Sequence, residues 1–310
     1  NGWIDLAEAE GLADLLEAET DSQRRAALML AGGALSRLVA GWQQRLLGVS
    51  AALEADLDHS DEDDVRSAEE PFWKFNAASL SEEVKNVISK PVLERLMDGV
   101  RVVISGPPNA GKSTLLNALA GREAAITSAM AGTTRDVVEA PTSVGGTPFL
   151  LIDTAGLRES RDEVEAMGID RARTQLAAAD LILWLGEPEK SPQTTNVIVV
   201  QPKADLSPPH RAADLRLSAK TGEGMDELVA LLIERSRALL PREGEVSINS
   251  RHRRALSECV NHLDEAVAVQ DPLVGAEALR QARATLDRIT GRAGVEDMLD
   301  ALFARFCIGK

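Results

Sequence analysis

The sequence predicts an α/β domain with a mostly parallel sheet, inserted into an all-α helical domain. Three observations carry this. Residues 4–57 and 247–306 repeat Leu, Ala, Ile and Val at helical spacing. Between them, from 100 to 240, short apolar runs at 100–104, 149–152, 181–185, 197–200 and 215–217 alternate with helical segments. That is the pattern of parallel strands joined by crossover helices. Third, residues 106–113 read Gly-Pro-Pro-Asn-Ala-Gly-Lys-Ser, directly after the first apolar run and before Leu115, Leu116 and Leu119 at helical spacing. A GxxxxGKS segment in that context is a phosphate-cradling loop at a helix N-terminus, where backbone N–H groups and the helix dipole both favour anions. The expected domains are 1–97 (first part of the helical domain, with a connector), 98–241 (the nucleotide-binding domain) and 242–310 (second part of the helical domain). Insertion at neighbouring surface termini is the usual way such domains are joined.

In chain order, Leu12, Leu15 and Leu16 mark a first helix, and Thr20 and Asp21 cap the next. Leu28, Leu35, Leu38 and Val39 continue it as one long helix with weak points at Gly32, Gly33, Gly41 and Gly48, each costing about 1 kcal/mol relative to Ala. The acidic run 56–64 reads as a solvated loop; it lacks the glycine and terminal Glu of a calcium loop. Residues 65–99, which contain Pro71 and Pro91, read as a broken helical connector. The segment 186–196 holds Pro188 and Pro192 and is too short for a full crossover helix. Pro241 closes the last helix of the α/β domain, and the final helical stretch breaks at Asp271-Pro272 and from Gly291 to Gly294.

The 310 residues are 44% hydrophobic but only 3% aromatic, without tyrosine, so the cores rest on Leu, Val, Ile and Ala. The net charge of −15 is uneven, with −10 in residues 1–97, −4 in 98–241 and −1 in 242–310. The chain as a whole repels phosphate, so any nucleic-acid contact must be local. Two cysteines, Cys259 and Cys307, cannot make a disulfide framework, and the composition fits a reducing cytosol. No 18-residue apolar run and no signal peptide appear, so no membrane is expected. The chain opens at Asn1 in mid-pattern, which reads as a fragment lacking its N-terminal part.

The chemistry is expected at the C-terminal ends of the strands, where α/β sheets bind ligands. In the loop formed by Asn109, Ala110, Gly111, Lys112, Ser113 and Thr114, Lys112 reaches the β/γ-phosphates and the Ser113 hydroxyl ligates Mg²⁺. Gly132-Thr133-Thr134-Arg135-Asp136 offers a threonine hydroxyl to the same metal. Asp153-Thr154-Ala155-Gly156 ends a strand; Asp153 holds the metal through water and the Gly156 N–H meets the γ-phosphate. Lys203-Ala204-Asp205 and Ser218-Ala219-Lys220 follow the last two strands. Asp205 accepts from N1–H and the 2-amino group of guanine, a pairing adenine does not offer. Lys203 packs along the base, and the Ala219 N–H meets the guanine carbonyl. Five short motifs in this order resemble the Ras-like, translation-factor-related GTPases over residues 100–240. Two positions depart from that pattern. Pro202 stands where the superfamily has the Asn of Asn-Lys-x-Asp, and proline can neither donate to the base nor tie its loop to the phosphate loop. Leu157 stands where Ras-type enzymes carry a water-orienting Gln.

Further residues resemble one family, the tRNA-modifying GTPases MnmE (TrmE), over essentially the whole chain. They are Gly106–Ser113 with Asn109, Gly132–Asp136, Asp153-Thr-Ala-Gly-Leu-Arg-Glu159, the C-terminal Cys307-Ile-Gly-Lys310 and the opening Ile4–Glu10. The resemblance implies a Ras-like G domain in a helical domain, without the family's N-terminal folate-binding domain of about 120 residues. It implies a potassium-dependent GTPase whose G domains pair in a homodimer, with K⁺ held by the Asn109 side chain, Ser128, Met130 and Thr133, and Mg²⁺ by Ser113 and Thr134. The family's catalytic glutamate falls on Glu165, to orient water directly or through a second water; the alternative is a solvated helix residue among Glu159, Asp162 and Glu163. The resemblance also implies action with the flavoprotein MnmG to install an aminomethyl or carboxymethylaminomethyl group on the wobble uridine of tRNA, using a tetrahydrofolate carbon. Cys307 matches a cysteine placed near that chemistry, though beside Phe303 and Phe306 it reads as well as packing. Lys310 matches a folate contact whose site is incomplete without the N-terminal domain.

Ser250-Arg251-His252-Arg253-Arg254 is the most basic stretch, either a solvated helix start or a tRNA phosphate contact. His59, His210, His252 and His262 lack metal-ligand spacing, and Trp42 and Trp73 read as packing residues. Two other readings compete. A ribosome-assembly GTPase of the Era or Der type requires a KH domain or a second G domain, and the helical tail supplies neither. A GTP-dependent binding switch with little hydrolysis is compatible with Pro202 and Leu157.

Overall fold

The computed structural model describes residues 4–59, 71–121, 138–154, 173–206, 208 and 212–291. The chain forms two compact units, one from 1–18, 23–93 and 243–310, the other from 19–22 and 94–242.

The first unit is helical. α1 (Leu6–Glu17) opens on a capping box, in which the Asp5 carboxylate accepts from the Glu8 N–H and the Glu8 carboxylate from the Asp5 N–H. α2 (Asp21–Ala31) and α3 (Ala34–His59) are separate helices where the sequence suggested one. The break falls at Gly32-Gly33, where Gly33 has a φ of 74°, a conformation that side-chain-bearing residues rarely adopt. Gly41 and Gly48 lie inside α3 without interrupting it. α4 (Phe72–Ile88) runs unbroken between the two prolines of the expected connector. α9 (Ser250–Ala268) and α10 (Pro272–Thr290) pack on each other, α9 also against α4 and α10 against α3. Asp271, Pro272 and a left-handed Gly291 supply the start and stop of α10, where the sequence put its breaks. Trp42 and Trp73 are buried, as their packing role requires, and Trp42 Nε1 donates to Glu83 at 2.8 Å.

The second unit holds a six-stranded sheet in the order β2-β3-β1-β4-β5-β6. Its strands are β1 (Val100–Ser105), β2 (Val138–Val144), β3 (Thr147–Asp153), β4 (Leu181–Leu185), β5 (Val197–Gln201) and β6 (Leu215–Arg216). All neighbouring pairs are parallel except β2 with β3. This is the α/β class with the trimmed layer expected between β4 and β5, where Pro188–Lys190 makes only a 3-10 turn. β2 is the strand that the hydrophobic pattern did not reveal. It carries Pro141, which an edge strand tolerates because one row of its backbone groups needs no ladder partner. Among the described residues four helices belong to this unit, the short α5 (Glu94–Met97), α6 (Lys112–Ala120), α7 (173–177) and α8 (Met225–Ser236). Val102, Ile104, Leu151 and Leu183 of the central strands share one core with Leu115 and Leu119 of α6 and Leu228 and Leu232 of α8. That packing holds the N-terminus of α6 at the C-terminal end of β1. No helix among the described residues is long and apolar enough to cross a membrane.

The basic stretch 250–254 starts α9, with three of its residues, Arg251, His252 and Arg253, engaged within the helical unit. His252 is fully buried and closes the capping box of α9, its Nδ1 accepting from the Asn249 N–H. Arg251 donates to both oxygens of Glu10 on α1 and to the carbonyls of Arg288 and Ile289 at the end of α10. Arg253, half-buried, donates to the Lys90 carbonyl, and Ser250 and Arg254 are exposed. The charge run failed as a surface signal because a buried acid, Glu10, lies more than two hundred residues away in the chain. Burial pushes the Glu10 carboxyl up, but hydrogen bonds from His252 and Arg251 outweigh it and hold it at about 2, against an ordinary 4.5. A carboxyl depressed in the folded state stabilises above its unfolded value, so this contribution is full above about pH 4.5 and is lost as pH falls toward 2. Glu10→Ala is therefore expected to lower the stability of the helical unit by about 3–5 kcal/mol at neutral pH, the range for leaving a buried charge without its partner. Thermal unfolding followed at pH 7 and pH 3 checks it, the variant's deficit shrinking at the lower pH.

Candidate nucleotide-binding site

β1 ends at Ser105 and α6 begins at Lys112, so residues 106–111 form the turn between them. Two features of this turn explain its composition. Gly106 has a φ of 150°, and a Cβ there would stand 2.5 Å from the Leu185 carbonyl oxygen, so only glycine passes between β1 and β4. Asn109 takes a left-handed φ of 60°, a conformation that asparagine tolerates better than most residues. Lys112 is 7% exposed, and its ammonium donates to the carbonyls of Gly106 at 3.1 Å and Pro107 at 2.9 Å. The loop thus wraps its own lysine and fixes a positive charge at a helix N-terminus, a setting that suits an anion.

At the end of β3, Asp153 is buried. Ser113 Oγ donates to Asp153 Oδ2 at 2.5 Å, joining the start of α6 to the neighbouring strand. Thr154 is buried as well, and its hydroxyl donates to the Ile104 carbonyl at 3.0 Å. Its side chain therefore secures the strand end. The hydroxyl and carboxylate oxygens of Ser113 and Asp153 are hard donors, the kind Mg²⁺ takes.

A cleft of about 220 Å³ opens beside this loop. Gly111 and Thr114 of the phosphate loop line one side, and Pro202, Lys203, Asp205, Ser218, Ala219 and Lys220 line the other. The two loops after β5 and β6 are braced together. The Ala204 N–H donates to the Leu217 carbonyl, the Leu217 N–H to the Gln201 carbonyl, and the Arg216 guanidinium to the Ala204 carbonyl. Ser218 is buried, and its Oγ accepts from the Thr221 N–H. Lys203 holds a left-handed φ of 57°, and its ammonium donates to the Asn109 carbonyl at 2.9 Å. The base loop is thus tied to the phosphate loop by Lys203, although Pro202 cannot make such a tie. Sequence reasoning gave Lys203 only a packing role; its place beside a proline that had lost the donor was the available signal.

The described residues thus bring together Asn109–Thr114, Asp153, Thr154, Lys203, Asp205 and Ser218–Lys220 in one unit. Ser128, Met130, Thr133, Thr134, Ala155, Gly156, Leu157, Glu165, Cys307 and Lys310 lie outside the described residues. Among the described residues no cluster of three or more His, Cys, Asp or Glu could hold a metal by itself. Cys259 is buried against Thr285, and burial pushes its thiol up to about 11, which leaves it unreactive.

Comparison with known proteins agrees with the residue pattern. The model of the MnmE helical domain family matches residues 6–307. A tRNA modification GTPase MnmE of Rhizorhabdus wittichii is 57% identical over 311 residues, covering all of this chain and 70% of that protein. The proteins of the same description from Erythrobacter litoralis and Sphingopyxis alaskensis are 55% and 52% identical, again over all of this chain and over 73% and 77% of their own length.

Proposed function

Because the chain belongs to the MnmE family of tRNA modification GTPases, we propose that it binds GTP in this site and hydrolyses it to GDP and phosphate in the service of tRNA modification. The observation that carries the reading is the single cleft running from Gly111 and Thr114 to Asp205 and Ala219. A helix start that suits an anion and, at Asp205, an acceptor that suits N1–H and the 2-amino group of guanine both line it, which supports the reading. Lys112 neutralises phosphate charge, and the Ala219 N–H meets the guanine carbonyl.

Mg²⁺ fits the oxygen donors Ser113 and Asp153, with Thr134 as a further ligand, and supplies charge neutralisation at the phosphates. K⁺ fits the amide oxygen of Asn109, an exposed residue, with Ser128, Met130 and Thr133 completing its shell in this reading. Its positive charge beside the β/γ-phosphates is the chemistry an arginine finger otherwise provides. Glu165 orients the attacking water, a task that Leu157 cannot perform. The further partners in this reading are a second G domain of the same chain, MnmG and tRNA, with the wobble uridine as the modified position and a tetrahydrofolate carbon as donor. Cys307 and Lys310 are the candidates for contact with that chemistry. The chain acts in the cytoplasm, and its units correspond to a G domain within the helical domain.

Lys112→Ala tests the reading directly. GTP binding, followed by titration of a fluorescent nucleotide, is expected to weaken by about 10- to 100-fold, since charge-assisted hydrogen bonds contribute about 1.5–3 kcal/mol. Unchanged binding would place the triphosphate elsewhere. Bound GTP with no turnover in either potassium or sodium would instead favour a binding switch.

A further inference from the structure

Pro202 sets what this cleft reads on its base, and the inference rests on the guanine-nucleotide reading above. Along the edge of guanine the polar groups run from the 2-amino group through N1–H and the carbonyl oxygen to N7. Asp205 answers the first two and the Ala219 N–H the third. N7 is an acceptor and requires a donor. On the base loop 202–206 the one side chain with donor hydrogens is Lys203, and its ammonium is held on the Asn109 carbonyl at 2.9 Å. Pro202 lines the cleft but offers neither a side-chain donor nor a backbone N–H.

The loop nevertheless keeps its shape. It is pinned by the Ala204 N–H on Leu217, by Arg216 on the Ala204 carbonyl and by the Leu206 N–H on the Lys203 carbonyl. Proline at 202 also removes backbone freedom from the unfolded chain. The loss at this position is therefore one of recognition, with the framework of the cleft intact. We propose that this chain reads guanine through its N1–H, 2-amino and carbonyl groups and that its base loop 202–206 leaves N7 unread, so that nucleotides altered at position 7 are accepted.

Competition against a fluorescent ribose-labelled GDP by GDP, 7-deaza-GDP and IDP tests this on the full chain. In the native protein 7-deaza-GDP is expected to compete within about twofold of GDP. IDP, which lacks the 2-amino group, is expected to be weaker by about three- to tenfold, the range of a net hydrogen bond. Pro202→Asn should tighten GDP by about three- to tenfold and leave 7-deaza-GDP unchanged. A native preference for GDP over 7-deaza-GDP of more than about threefold overturns the proposal, as does equal tightening of both by Pro202→Asn. Failure of every guanine nucleotide to compete, with the protein folded, would overturn the guanine-nucleotide reading and the proposal together. That result is distinct from either of the others.

Discussion

GTP turnover is expected to fall about a thousandfold when potassium chloride is replaced by sodium chloride at constant ionic strength, with GTP affinity changing far less. The reason is a gap in the catalytic residues. Position 157 is leucine, and no arginine on the described elements lines the cleft. Yet charge accumulates on the transferred phosphoryl group, and a cation placed there is worth about 10³–10⁵ in rate. Asn109 stands at the apex of the phosphate loop in a left-handed conformation, with its carbonyl engaged by Lys203 and its residue exposed. That arrangement fixes the backbone of the residue expected to carry the ion. Phosphate release measured in the two salts checks the prediction, and Asn109→Ala should remove the potassium response while retaining binding. Equal rates in both salts would rule out potassium activation.

Glu165→Ala is expected to lower the turnover number by about a hundredfold or more, within the range that positioned acids and bases contribute, while GTP binding stays within a few-fold of native. The separation of the two effects distinguishes water positioning from folding, since a collapsed site would lose both. A variant that hydrolyses GTP at the native rate would return the glutamate to the solvated face of its segment.

The sequence revealed most where local chemistry and position coincide. GxxxxGKS needed a strand before it and a helix behind it, and β1 and α6 stand there. Asp271-Pro272 and Gly291 gave the ends of α10 because cap and stop residues act on their own backbone. Less was legible where the cause lies elsewhere in the chain. β2 pairs at an edge of the sheet and tolerates Pro141, so it shows neither alternation nor an apolar run. Arg251 and His252 look like surface cations until Glu10 is placed against them. The Lys203 bond to Asn109 depends on two loops meeting across the sheet, which no local pattern encodes.

The pairing of Glu10 with Arg251 and His252 also bears on how the chain is made. Synthesis proceeds from the N-terminus, and domains fold as units as they emerge. The helices α1 to α4 leave the ribosome long before α9 and α10, and the whole sheet-containing segment is translated in between. Until α9 and α10 arrive, the first helices lack Arg251 and His252, which hold Glu10 in the finished unit, and lack the helices that pack on α3 and α4. The segment 94–242 carries its own core and is complete earlier. The expected order of assembly is therefore the inserted unit first and the helical unit last. During that interval the nascent helices present the apolar faces of α3 and α4 that α9 and α10 later cover.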